Sequence, residues 1–249
     1  MNNAYYIAAN SMLTQEKIFD LISGNISNIN TSGYKKTAIQ FSDMLYNKVD
    51  TASDLEYNMG NGIRVNNYYK DFTSGPLRET KDPYDLSFEK EGFLKVTDGT
   101  ATYFTRGGSF TKAAINDTYA LANKDGMLLL DIFGQVITVD ENDKDFIVSE
   151  DGLLTFENSG RTFVLDTISF ENPQDLIPVG SDLYLDSPQL KENTQTADII
   201  LRQGFIEGSN VDLAVEMTDL IKAQRLYQIN SKLVQVMDEI SSLTNRLRK

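Results

Sequence analysis

Carboxylates, lysines, tyrosines and hydroxyls are what this 249-residue chain has for acid–base or nucleophilic chemistry, because it contains no cysteine and no histidine. Thiolate and imidazole nucleophiles, the commonest general base and the usual zinc ligands are therefore excluded. Asp140-Glu141-Asn142-Asp143-Lys144-Asp145 opens like a calcium loop. It then places Lys144 at the fifth position and Asp145 at the sixth, where such a loop needs an oxygen ligand and a glycine, so it reads as a solvated turn. Asp82 with Asp85, or Glu89 with Glu91, has the composition of a glycosidase pair, but carboxylates spaced this way on strands are ordinarily surface charge. Arg106-Gly107-Gly108-Ser109 lies between two expected strands rather than opening a helix, which predicts a tight hairpin and no phosphate cradle. These residues predict no enzyme, no cofactor and no metal.

The elements that would have to position such residues point the same way. From Gly208-Ser209-Asn210-Val211-Asp212 to Lys249 there is no glycine or proline after Gly208, and the apolar spacing predicts one long helix capped by Ser209 or Asn210. Leu226, Ile229, Leu233, Val236, Ile240, Leu243 and Leu247 step by three and four, the spacing of a seam that faces a partner helix. Leu213, Met217, Leu220 and Tyr227 form an earlier, offset seam. Two offset seams imply more than one neighbour, although a helix lying on its own domain would also be amphipathic.

At the other end Tyr5, Ala8, Met12, Gln15, Phe19, Ile22, Ile26 and Ile29 predict a helix over residues 3–30, closed by Thr31-Ser32-Gly33 with Gly33 in a left-handed cap. Residues 36–74 read as an extended linker, with a helical turn at Phe41, Met44 and Leu45, a turn at Gly60-Asn61-Gly62 and a short strand at Ile63, Val65 and Tyr68. From about residue 84 the pattern becomes short strands separated by Gly, Asn and Asp, which predicts a central antiparallel β domain ending in a strand over 198–206. The expected class is α+β. Its divisions are an N-terminal helix over 1–35, the linker, a β domain over 75–206, and a C-terminal helix over 207–249 that pairs with the first.

Net charge is −13, and residues 51–200 carry −14 of it against near-neutral ends. An acidic middle without Lys and Arg clusters argues against nucleic acid. No apolar run is long enough to span a bilayer. The start, Met1-Asn2-Asn3-Ala4-Tyr5, lacks the basic and apolar regions of a secretory signal.

The two ends together are specific. Asn25-Ile26-Ser27-Asn28-Ile29-Asn30-Thr31-Ser32-Gly33-Tyr34-Lys35 resembles the N-terminal signature of the bacterial flagellar rod and hook proteins. Glu207-Gly208-Ser209-Asn210-Val211-Asp212, Glu216-Met217-Thr218, Gln224-Arg225-Leu226-Tyr227 and Asn230-Ser231-Lys232 resemble its C-terminal signature. Asp85-Leu86-Ser87-Phe88, Gly92 to Val96 and Tyr103 to Phe110 resemble the start of its β domain. The length fits a rod subunit rather than the larger hook subunit, and the tail resembles the distal rod more than the proximal type.

The resemblance implies an axial structural protein, exported by the flagellar type III apparatus without a cleaved signal. Its partners would be other copies of itself and adjacent rod or hook subunits. It also implies an assembly interface through Phe19, Ile22, Ile26, Ile29, Leu226, Ile229, Leu233, Val236, Ile240 and Leu243. The rival readings are a secreted adhesin whose helices merely dimerise and a carboxylate-based carbohydrate-active protein.

Overall fold

The computed structural model describes residues 2–44, 47–50, 56–60, 62–115, 118–140, 143, 146–180, 182–185, 192–193 and 199–247. The chain forms two compact units. A helical unit takes residues 1–27, 37–70 and 211–249, and a β unit takes 28–36 and 71–210. Residues 28–35 and 207–210, expected with the helices, thus belong to the β unit.

The helical unit holds α1, Asn2–Ser27, and α2, Leu213–Leu247. Helix α1 stops three residues short of the expected end. Asn25 explains why: its amide side chain accepts from Thr37 N (3.0 Å) and donates to Thr37 O (3.0 Å), tying the last helical turn to the start of a strand. Gly33 is left-handed as expected (φ 74°), but six residues beyond the helix it is no cap, and its N–H donates to Glu207 O (2.8 Å). The cap of α2 is Asp212. Its Oδ1 accepts from the N–H groups of Ala214 (2.8 Å) and Val215 (3.3 Å). Asn210 is otherwise engaged, accepting from Lys36 N (2.7 Å) and donating to Asp71 O (2.8 Å).

The expected linker contains two hairpins. Thr37–Asp43 pairs with Ile63–Lys70, and Asn47–Asp50 with Glu56–Met59, both antiparallel. Phe41, expected in a helical turn, sits opposite Val65 in the first of these. β-branched and aromatic residues at alternate positions (Thr37, Ile39 and Phe41 against Val65 and Tyr68) outweigh the helical spacing of three residues. Leu45 and Asn61 lie outside the described residues.

In the β unit, strands Phe93–Thr97 and Thr102–Thr105 form a hairpin at the centre of a ten-stranded sheet. Phe110–Ile115 and Thr118–Asn123 form a second hairpin joined to it through Leu128–Leu129. A smaller sheet combines Phe146–Val148, Leu153–Phe156 and Thr162–Val164. Alternate residues of both sheets, among them Leu86, Leu94, Val96, Leu121, Leu129, Ile137, Leu154 and Phe156, are buried in one core. A second cluster is mostly aromatic. Phe72, Phe93, Phe104, Phe170 and Tyr184 meet edge to face at 5.0–6.0 Å between ring centres. The expected last strand is two, Leu201–Gln203 and Phe205–Glu207, pairing with Leu86–Phe88 and Leu77–Glu79. Gly204 (φ 77°) breaks it, so that one chain segment can change partners.

Residues 106–109 do not close the hairpin expected there. The strands on either side pair with other strands and not with each other. Gly108 lets this connection press against the backbone, since a Cβ placed there would overlap Leu86 O. Gly108→Ala should therefore lower stability by about 1–3 kcal/mol or more, as forced overpacking does. Gly24→Ala, in a helix with open space around the added methyl, should raise it by about 0.4–1 kcal/mol. Thermal denaturation of the two variants measures both.

Candidate functional site

In the helical unit the terminal helices run antiparallel, Asn25 Nδ2 approaching Glu216 Oε2 at 3.4 Å and Phe19 meeting Tyr227 edge-on at 6.2 Å. On α2 the covered face runs through Glu216 and Ala223, both buried, to Asn230, Ser231, Val234 and Met237, which are half-buried. This is not the seam that the sequence marks. Leu226, Ile229, Leu233, Val236, Ile240 and Leu243 are 40–57% exposed and form a stripe on another side of α2, uncovered within the chain. On α1, Ile22 is buried and Phe19 and Ile26 are half-buried. Ile29 lies beyond α1, in the β unit.

The motif residues divide between the two units. Asn25 and Glu216 are buried in the helical unit, with Val211, while Met217, Arg225 and Tyr227 are exposed and Asn230 is half-buried. In the β unit Asn28 and Thr31 form a turn, Thr31 N donating to Asn28 O at 3.1 Å and Thr31 Oγ1 to Asn28 Oδ1 at 3.2 Å. Gly33, Tyr34 and Ser209 are buried there, and Gly208 N donates to Pro76 O at 2.8 Å.

Between these motif segments lies a feature that the seams do not reveal. Glu207 is buried between two cations: Oε1 accepts from Lys35 Nζ (2.7 Å) and Oε2 from Arg106 Nε (2.8 Å). Gly75 N donates to the same Oε1 (2.8 Å), Lys35 Nζ also donates to Thr73 O (2.8 Å), and Arg106 Nη2 reaches Ser74 Oγ and Lys90 O (both 3.0 Å). One carboxylate thus fastens four segments of the β unit. Burial lowers the Lys35 pKa, and the Arg106 charge lowers it further, against the attraction of Glu207.

Asp182 is the fourth charge. Its carboxylate packs against Gly33 and Gly107, where a side chain on either glycine would collide with it, and both of its oxygens are shut off from solvent. Burial pushes its pKa well above the usual carboxylate range, Glu207 adds to this, and Lys35 and Arg106 oppose it. Sequence reading passed over all four residues as site members. The available signal was charged residues embedded in the glycine-rich motifs of both ends, Lys35 after Gly33-Tyr34 and Glu207 before Gly208.

The acidic pairs weighed for catalysis have local duties. Asp82 Oδ1 accepts from Tyr84 N (3.0 Å), Asp85 is buried and bridges to Ser109, and Glu89 pairs with Arg202 on the surface (2.9 Å). In the calcium-like run, Asp140 and Asp143 both pair with Arg161, at 2.9 and 3.4 Å, while residues 141–142 and 144–145 lie outside the described residues. Among the described residues no group of three or more carboxylates could hold a metal, and no helix is long and apolar enough to cross a membrane.

A core locked by a buried ionic junction, with a helix pair that leaves one apolar stripe outward, defines a structural subunit. The comparisons with known proteins say which kind. Residues 202–247 match the family model described as flagellar basal body rod FlgEFG protein C-terminal, and residues 89–156 match flagellar hook protein FlgE/F/G D1 domain. The chain is 32% identical to the flagellar basal-body rod protein FlgG of Borreliella burgdorferi, covering 100% of both chains. It is 30% identical to the flagellar basal-body rod protein FlgF of Caulobacter vibrioides, over 100% of this chain and 99% of that one. It is also 29% identical to the flagellar hook-basal body complex protein FlhP of Bacillus subtilis, over 97% and 98%. The chain belongs to the flagellar basal-body rod protein family. It is a structural subunit of the basal-body rod, and the adhesin and carbohydrate-active readings find no support among these relatives.

Two variants test the junction. Glu207→Gln leaves two buried cations without their counter-charge and should cost about 3–5 kcal/mol, read from chemical denaturation. Asp182→Asn tests the sign of the fourth charge. A raised folded-state pKa contributes stability that is full below the unfolded pKa and is lost as pH rises through the folded value. The parent protein should therefore lose stability relative to Asp182→Asn as pH is raised from the acid range, and pH-independent spacing of the two melting curves would contradict the assignment.

Proposed function

We propose that the chain builds its part of the rod through the outward stripe of α2, copies associating by their terminal helices into a helical axial tube that transmits torque. The observation that carries this reading is the exposure of Leu226, Ile229, Leu233, Val236, Ile240 and Leu243 on the helix whose other face already packs in the chain. Six large apolar side chains in one row form a patch of the kind that marks an interface. Their three-and-four spacing suits helix-on-helix packing. A contact that joins different faces of successive copies extends as a helical filament when its rotation does not close into a ring.

The coarse division proposed is an assembly part made of the terminal helices and a β part that carries the acidic surface. The tail motif, Gln224-Arg225 with Asn230-Ser231-Lys232, favours a distal-rod over a proximal-rod subunit. Adjacent rod or hook subunits would then be the neighbours along the axis. Export through the flagellar type III apparatus, without a cleaved signal, follows from the same family resemblance.

Replacing both Leu233 and Ile240 by Asp tests the stripe. Both side chains are more than 40% exposed in the single chain, so the melt of the monomer should barely move. Incorporation into rods, scored by electron microscopy of basal bodies from cells carrying the variant, should be abolished because each Asp would be buried without a partner. A large drop in the monomer's melting temperature would place the stripe inside the subunit instead.

A further inference from the structure

We propose that the outer face of the three-stranded sheet in the β unit is a second docking surface, shaped for a protein partner with an apolar centre and a basic rim. Along Phe146–Val148 and Leu153–Phe156 the inward residues Phe146, Val148, Leu154 and Phe156 are buried. The outward positions of a sheet with one solvated face are ordinarily polar. Here they include Ile147, Leu153 and Val164, which are 54, 38 and 38% exposed.

The register makes them one patch. Leu153 is opposite Val164, and Ile147 is opposite Thr155 on the same face. Ile132 N donates to Val164 O (3.0 Å) and Asp131 bridges to Leu165, so the turn 131–135 continues the sheet beside Val164. That turn presents Ile132 and Phe133, the latter 80% exposed. It is held firmly. Asp131 Oδ1 accepts from Phe133 N (2.9 Å) and Gln135 N (2.8 Å), and Gly134 supplies the left-handed residue the turn requires (φ 74°).

Charge selects the occupant. Asp131 and Asp143 are buried, Asp140 pairs with Arg161 and Asp166 with Lys95, so the free charge beside the sheet is that of its turns. Glu150 and Asp151 lie exposed on the turn before Leu153, and Glu157 lies exposed after Phe156. A second β unit would bring like charge to this rim, since residues 51–200 carry −14. Anionic lipid headgroups would be repelled for the same reason. Lysines or arginines around an aliphatic centre complement both parts of the surface and speed encounter at low salt. The inference is independent of the helix stripe, which lies in the other unit.

The test uses the full chain and two labelled peptides of equal length, one alternating leucine with lysine and one alternating leucine with glutamate, with binding read by fluorescence anisotropy. The leucine–lysine peptide should bind, more weakly as salt is raised, and the leucine–glutamate peptide should not. Ile147→Ser combined with Val164→Thr changes solvent-facing side chains and should leave the melt intact while weakening that binding roughly tenfold, as loss of central apolar anchors does. Unchanged binding by the double variant, equal binding of the acidic peptide, or no binding of the basic one overturns the proposal. So does loss of self-association in the double variant, which would assign the patch to a second copy, or patch-dependent flotation with anionic vesicles, which would assign it to lipid.

Discussion

Glu207 is the constraint on which the β unit depends. It immediately precedes the glycine that leads the chain towards α2, and it is held between Lys35, which ends the N-terminal motif, and Arg106, which follows a central strand. Removing charges from water costs several kcal/mol per ion, which close pairing and further hydrogen bonds must offset. Here Thr73 O, Ser74 Oγ, Lys90 O and Gly75 N add to the two ion pairs, and Arg106 Nη1 is the buried nitrogen left without a partner among the described residues. An apolar cluster of similar volume could be as stable, but it would slide. The directional bonds fix how the segments at Lys35, Gly75, Arg106 and Glu207 meet within the β unit.

The second organising feature is that α2 has two faces with different destinations. One meets α1 through Glu216, Ala223 and Tyr227, and the other stays outward as a continuous row of Leu, Ile and Val. An isolated helix gains little from its own hydrogen bonds, so α2 depends on the face it packs against α1. The earlier seam does not mark the α1 contact: Leu213 and Met217 are exposed, and the covered face runs through Glu216 and Ala223 beside it.

Much of this was legible in the sequence. The short strands expected from about residue 84 are present, among them 86–88, 146–148, 153–156 and 183–185, because apolar alternation and flanking turn residues agree there. In Phe110–Ile115 the run Thr111, Lys112, Ala113 and Ala114 carries almost no apolar alternation; the strand is set by its full pairing with Thr118–Asn123. In the expected linker the strand at Ile63, Val65 and Tyr68 was legible, but its partner Thr37–Asp43 and the pair Asn47–Asp50 with Glu56–Met59 were not, in an Asn- and Asp-rich stretch. The junction was illegible for a different reason. Lys35, Arg106, Asp182 and Glu207 are distant in sequence, and a single charged residue says nothing about which partners the fold will bring to it.

The most direct test of the account asks what covers the stripe in assembled rods. The chain has no cysteine, so a single engineered thiol reports without background. With Leu233→Cys, an exposed position, oxidation or maleimide labelling should find the thiol reactive in the free subunit, and protected or cross-linked to another copy in isolated basal bodies. Ala223→Cys, on the face already buried within the chain, should be shielded in both. A thiol at 233 that reacts equally in subunit and basal body would contradict the claim that the stripe joins subunits.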